Sequence, residues 1–284
     1  MTIGEIIRQG FHYARNCRSL WLFGFVVGIA SGGSNGGVGA GDRPGAGDAA
    51  AGGWPPFSLS AAERTASVVA IVIAALAAIV MRFISEGALI EGVVRARQGG
   101  AMTTGEAFGA GRKHWGVLLR IGLLYVAAFI GSLVLLAVPA VLAGLAFGPL
   151  GAAALGIPAL VAAVPWFITL HLVQAFASRI AVLENRRALD AIRKSRLFLH
   201  GRIRHGLRLI VAALVGALVI GILSVVVILP VVLLLIALLP VLGLVPVIVI
   251  GCLVLLPAIY VLVAMLGTYR SSIWTIGYVT EVEA

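Results

Sequence analysis

Few residues in this 284-residue chain can do chemistry. Eleven Asp and Glu and five His stand against 21 Lys and Arg, for a net charge of +10. A catalytic pair or a metal centre needs carboxylates, imidazoles or thiolates gathered at a suitable spacing. His12, His114, His171, His200 and His205 show no such spacing with Cys or Glu, and Cys17 and Cys252 make no metal motif. Neither a phosphate-binding loop, nor a Gly-rich dinucleotide fingerprint after a strand, nor a nucleophile elbow can be read. The sequence therefore predicts no catalytic residue, no cofactor and no metal.

Two groupings of charged and polar residues remain. Arg82, Glu86, His171, Gln174 and Arg179 lie near the ends of apolar runs and form a candidate polar pocket, because ionisable groups within a membrane are costly and tend to be functional. The plainer alternative is ordinary helix surface. Arg82 with Glu86, and Glu91 with Arg95, are at i,i+4 spacing, where an intrahelical ion pair is worth about 0.2–0.5 kcal/mol. His171 and Gln174 then become hydrogen-bonded or cytoplasm-facing residues. The second grouping is the run Arg186, Arg187, Arg193, Lys194, Arg196, Arg202, Arg204 and Arg208, with Asp190 as its acid. In a soluble protein this balance would point to nucleic acid. Here the run abuts apolar segments, so its expected partner is the anionic headgroup layer on the cytoplasmic side of a membrane, at about 1 kcal/mol per basic residue. No nucleic acid is expected, and no protein partner is specified.

The elements that position these groups follow from composition. Hydrophobic residues make up 61% of the chain, charged residues 11%, and mean hydropathy is +1.11. A soluble domain has about 25% charged residues, so the solvent of this chain is largely lipid. Six apolar stretches can be read: Leu20 to Ala30, Thr65 to Phe83, Val117 to Phe147, Leu150 to Ala177, Leu209 to Leu229 and Val245 to Thr268. A span needs roughly 17–25 residues, so the first stretch qualifies only if it begins near Asn16 and ends in Gly32. Its basic lead and Gly28-Ile29-Ala30 also match a signal peptide weakly. The apolar piece Pro230 to Gly243 either extends the fifth span or forms a short re-entrant or interfacial segment. Residues 31–60, rich in Gly, Ala, Ser and Asp, predict a flexible outer loop, closed by Trp54 and Phe57 at the headgroups.

Charge sets the orientation. Nineteen of the 21 basic residues fall on one side of such a six-span plan, with Arg43 and Arg64 on the other. The positive-inside rule then puts both termini in the cytoplasm. Only Lys113 and Lys194 are lysines, and the richness in Arg, Ala, Gly and Val fits a high-GC bacterial genome.

The inner segments repeat. Thr2 with Glu5, and Thr103 with Glu106, match the capping box, and Asn185 can cap a helix carrying Asp190. Each start leads through a short basic amphipathic stretch into a span. Ile3, Ile6, Ile7, Gly10, Phe11 and Ala14 share one helical face in the first; Ala107, Phe108 and Trp115 serve in the second, and Leu189, Ile192 and Leu199 in the third. Such stretches lie in the interface plane. The expected architecture is an all-α polytopic transmembrane helical bundle. Its six spans form three parallel hairpin repeats, each preceded by an interfacial amphipathic helix. It is a single integral membrane domain over 1–284, with repeat units at about 1–100, 101–184 and 185–284.

Leu20-Trp21-Leu22-Phe23-Gly24, the start Gly105-Glu106-Ala107, the helix with Asp190-Ala191 and the close from Tyr269 to Tyr278 resemble a broad group of bacterial six-span membrane proteins. That group is similar to the membrane domain attached to some glycerophosphoryl diester phosphodiesterases. The resemblance covers nearly the whole chain through short motifs. It implies a membrane domain without the phosphodiesterase's catalytic domain, whose metal site His200-Gly201-Arg202 and the sparse carboxylates do not supply. The function expected is non-enzymatic: a scaffold, accessory or regulatory component of the bacterial inner membrane. Two alternatives stay open. A small-solute or lipid transporter needs polar residues converging at mid-depth. A lipid-modifying enzyme needs Asp, Glu or His clustered at one interface, where only Glu86, Glu91, Glu106, Glu184 and Asp190 are available.

Overall fold

The computed structural model describes residues 3–35, 61–100 and 102–283, and all the regular structure among them is helical. Seven α-helices follow in order: α1 (Ile3–Asn16), α2 (Trp21–Asn35), α3 (Ala61–Arg97), α4 (Thr104–Leu183), α5 (Ala188–Leu199), α6 (Ile203–Leu242) and α7 (Leu244–Glu283), with a 3-10 turn at Arg18–Leu20 between the first two. Four of them, α3, α4, α6 and α7, are long and apolar enough to cross a membrane, and α2 contributes a shorter apolar helix. This is the makeup of a helical membrane protein.

The helix α4 is not straight. Gly148, at φ 71° and ψ −163°, breaks it in a region open to glycine and little else. The two arms then lie side by side. Phe129 and Phe167, equally far from Gly148, stack with ring centroids 4.7 Å apart, and Trp166 Nε1 donates to Ser132 Oγ at 2.9 Å. Gly243, at φ 78°, turns α6 into α7 in the same way. Leu235 then meets Gly251, and Leu209 meets Gly277, each pair equidistant from the turn. The segment Pro230 to Gly243 is thus the end of α6, with Pro230 and Pro240 inside the helix.

The start of the chain differs from expectation. The first apolar helix does not begin near Asn16. The backbone turns at residues 17–20, Leu20 is buried in the corner, and Trp21 Nε1 donates to the Ala14 carbonyl oxygen at 2.7 Å. Helix α2 then continues to Asn35, so the outer loop cannot begin at 31. Residues 36–60, with Trp54 and Phe57, lie outside the described residues, as does Thr2, the first capping residue. The box at Thr103 forms: Thr103 N donates to Glu106 Oε2 at 2.9 Å, and Glu106 N to Thr103 Oγ1 at 3.4 Å. The third start is different. Arg187, without a side-chain bond, precedes α5, while Asn185 sits at φ 52° in the preceding turn, a conformation asparagine tolerates better than most residues.

Side chains are buried at the basic end of the bundle. The tails of α3 (Ile84 to Val93), α4 (Leu172 to Val182) and α7 (Gly267 to Tyr278) meet there. The opposite end is open: residues 65–79 are exposed throughout, and Leu145 and Leu150, beside Gly148, are 81% and 85% exposed. Helix α1 lays its apolar stripe on protein. Ile6, Gly10 and Ala14 are buried, and Phe11 packs on Tyr269 at 4.6 Å. In α5 the buried face is Ala188, Ala191, Ser195 and Leu199, with Ile192 half-buried and Leu189 exposed. In the second stretch Ala107 is buried, while Phe108 and Trp115 are exposed.

Small residues set the closest helix approaches. A Cβ on Gly267 would land on the Gly24 carbonyl oxygen, and one on Gly28 would lie 2.6 Å from the Val263 carbonyl oxygen. Gly216 is filled by the Tyr269 ring, whereas Gly221 faces open space. Gly267→Leu is expected to separate α2 from α7 and lower stability by at least about 1–3 kcal/mol, the usual range for overpacking. Gly109→Ala, in a helix and with nothing within 4 Å, is expected to raise it by about 0.5–1 kcal/mol. Thermal unfolding in detergent, followed by tryptophan fluorescence, checks both signs.

Candidate polar site at the basic end

Three helix tails bring arginines together. Arg82 lies on α3, Arg179 on α4 and Arg270 on α7, each within two residues of the end of an apolar stretch. Arg179 is 6% exposed. Its Nη1 donates to the Ala175 carbonyl oxygen at 2.9 Å and lies 3.6 Å from Glu86 Oε1. Arg270 lies in the electrostatic reach of Arg82 and Glu86, and His171 in that of Arg270 and Arg179. His171 also meets Trp274 edge to face, with centroids 5.9 Å apart. The result is one ion pair, Arg179 with Glu86, and two further arginines in the surrounding field, the half-buried Arg270 and the exposed Arg82, a net positive arrangement suited to holding an anion.

Of the residues expected to form this pocket, Glu86 and Arg179 pair and His171 lies in the field of Arg179, whereas Arg82 is exposed and makes no ion pair among the described residues. Gln174 lies apart. It lines a separate cavity of about 230 Å³ with Tyr125, Leu189 and Arg196, between the arms of α4 and helix α5. The intrahelical pairs also give way to tertiary ones. Glu86 faces Arg179, and Arg95 lies 3.6 Å from Glu106, because the neighbouring helices bring those partners closer than the same helix does. Arg270 was not singled out by spacing. Its signal is positional, since it stands at the end of the sixth apolar stretch as Arg82 and Arg179 stand at the ends of the second and fourth. A third cavity, about 330 Å³, lies between α1 and the end of α3; His12, Asn16 and Cys17 line it, and among the described residues no Asp, Glu, Lys or Arg does.

The basic run divides into two sets. Lys194 Nζ lies 2.6 Å from Glu184 Oε2, and Arg186 Nε lies 2.9 Å from it. Tyr278 OH donates to Glu184 Oε1 at 2.6 Å. Arg202 lies 3.5 Å from Glu281, beside His205 at 3.0 Å, and stacks over Phe198. These contacts tie α5 and α6 to the tail of α7. Arg187, Arg193, Arg196, Arg204 and Arg208 are exposed, and among the described residues none of them has an ion pair. Also among the described residues, no three of His, Cys, Asp and Glu are placed to hold a metal ion. Comparison with protein-family models, with curated proteins and with solved structures finds no match.

Burial alone would raise the Glu184 carboxyl. The hydrogen bonds from Lys194, Tyr278 and Arg186 outweigh it and hold the group below its ordinary 4.5. A depressed carboxylate contributes stability above its unfolded-state value and loses it as pH falls through the folded one. The contribution of Glu184 is therefore expected to be full and constant above about pH 5 and to be lost progressively as pH falls below 4.5. Glu184→Gln should remove that part of the acid slope in a pH series of melting temperatures. Glu86 and Glu283 offer a second contrast. The Arg179–Glu86 pair has side chains 7% and 23% exposed, and the Arg97–Glu283 pair 28% and 58%. Breaking a buried pair strands a charge and costs about 3–5 kcal/mol, whereas an exposed pair is worth about 0–1 kcal/mol. Glu86→Ala should therefore destabilise far more than Glu283→Ala in the same melting assay.

Proposed function

We propose that this chain is a non-enzymatic integral membrane protein of the bacterial inner membrane. It acts as a scaffold, accessory or regulatory component, with six spans and both termini in the cytoplasm. The spans are α2, α3, the two arms of α4, and α6 and α7, arranged as three parallel hairpin units. The reading includes kinship with the bacterial six-span proteins that resemble the membrane domain of some glycerophosphoryl diester phosphodiesterases. The turns at Gly148 and Gly243, each at the far end of a helical hairpin from the basic residues, support the six-span count.

The observation that carries the reading is the division of the basic run. Arg187, Arg193, Arg196, Arg204 and Arg208 remain exposed on α5, its flank and the start of α6, at the end of the bundle where the side chains pack. Charges of one sign on such a rim are what an anionic leaflet attracts, so the rim fixes the protein against the cytoplasmic face. Three of the five candidate acids are committed elsewhere, Glu86 to Arg179, Glu184 to Lys194 and Tyr278, and Glu106 to the cap at Thr103, which weighs against a lipid-modifying enzyme.

Replacing these five arginines with Gln is expected to lower the anionic lipid that co-purifies with the protein while leaving insertion intact. At about 1 kcal/mol per residue, most loosely held lipid should be lost. An unchanged amount, measured by lipid mass spectrometry, would sink the electrostatic part of the reading. A reporter active only outside the cytoplasm, fused after Ala284, should stay silent.

A further inference from the structure

The arginine cluster has a charge surplus and an unused donor. Glu86 is paired with Arg179, and Arg270, in the field of Arg82 and Arg179, has no carboxylate of its own. Arg179 Nε is buried without a hydrogen-bond partner, and so is Ser271 Oγ, one residue from Arg270. Arg270 is itself half-buried, and among the described residues no ion pair within 4.0 Å involves it. Buried polar groups in folded proteins almost always find partners. A guanidinium left short of one in partly desolvated surroundings is poised to take an oxyanion, which its planar fork matches with two parallel bonds.

What lies beside Arg270 decides which oxyanion. A cavity of about 270 Å³ runs between α6 and α7 from Arg270, His171 and Trp274 along Ala213, Ala217 and Leu266. That size is near the lower end of the roughly 300–1,000 Å³ of ordinary ligand sites. Its wall past Arg270 is apolar, and its rim residue Leu214 is 68% exposed, so it opens sideways on the surface of the apolar helices. A free phosphate gains nothing from Ala213, Ala217 or Leu266. A molecule with a phosphate at one end and a hydrocarbon chain at the other satisfies both ends at once. The buried indole of Trp274 lines the same cavity as Arg270.

We propose that this cavity is a discrete site for one anionic phospholipid, with its phosphate on Arg270 in the field of Arg82 and Arg179 and part of an acyl chain against Ala213, Ala217 and Leu266. The site rests on the reading of the chain as a membrane protein but not on the exposed arginines of α5. Glu86 then has a second role: by pairing with Arg179 it leaves Arg270 free for a singly charged diester headgroup.

The test uses the full chain, delipidated in mild detergent and titrated with phosphatidylglycerol carrying brominated acyl chains, which quench nearby tryptophan. The expected result is saturable quenching, most of which Trp274→Phe removes. Brominated phosphatidylcholine should need at least tenfold more lipid for the same effect. Arg270→Gln should weaken the phosphatidylglycerol titration at least tenfold, and Ala217→Phe, which fills the cavity from the membrane side, should do the same with the arginines intact. Arg193→Gln with Arg196→Gln should leave the saturable quenching in place even if it lowers total bound lipid, which separates this site from the rim of α5. Equal titration by the two lipids would overturn the proposal. Displacement by millimolar inorganic phosphate would overturn it too, by assigning the site to the free anion. Quenching that survives both Arg270→Gln and Ala217→Phe would place the lipid elsewhere. Should Arg270→Gln fail to fold, the Ala217→Phe variant and the wild-type lipid comparison still decide.

Discussion

The inner part of α7, from Gly267 to Tyr278, has to be covered on nearly every side, and the rest of the structure is arranged to cover it. Glycine at Gly267 admits α2 to backbone contact, and glycine at Gly277 admits Leu209 of α6. Tyr269, fully buried, occupies the space left by Gly10 of α1 and Gly216 of α6, and its hydroxyl donates to the Ala212 carbonyl oxygen at 2.9 Å. On another side Trp274 meets Phe176 edge to face at 5.8 Å. A large side chain in one helix opposite a glycine in the next is the interlocking that membrane helices need, because lipid supplies no hydrophobic drive for one apolar helix to leave it for another.

Covering α7 also places the charges. When the tails of α3 and α4 pack on this stretch, Arg82, Glu86, Arg179 and Arg270 have nowhere else to go. Arg179 is buried because Ile180 and Phe176 on the same helix are core residues, and it is tolerable there because Glu86 and the Ala175 carbonyl oxygen meet its Nη1. The polar site is thus a by-product of packing at one end of the bundle. It inherits that end's rigidity, while the opposite ends of the helices present apolar side chains outward to lipid.

Much of this was legible in the residues, for identifiable reasons. The apolar runs are long, so α3, α4, α6 and α7 stand out by length and composition. Gly148 and Gly243 lie between runs where a turn was needed. The capping pair Thr103 and Glu106 is a local device, and local devices survive folding. Illegible were the choices that depend on a neighbour. Glu86 pairs with Arg179 across helices although Arg82 lies four residues away on its own. Lys194 pairs with Glu184 although it sits in a run whose Arg187, Arg193, Arg196, Arg204 and Arg208 face out. Gln174, one turn from His171, faces a different cavity because the arms of α4 and helix α5 enclose it there.

The sequence by itself determined that the chain is helical and lipid-solvated and where its basic residues accumulate, because hydropathy, proline and glycine act over one or two turns of chain. Only the tertiary structure decided that the apolar stripe of α1 is covered by α7, that Glu86 of one helix pairs with Arg179 of another, and that Arg270 opens onto an apolar cavity. Those outcomes depend on the rotation of each helix about its axis. Rotation is set by which glycines and tyrosines interlock between helices far apart in the chain, and no periodicity within a single segment encodes that match.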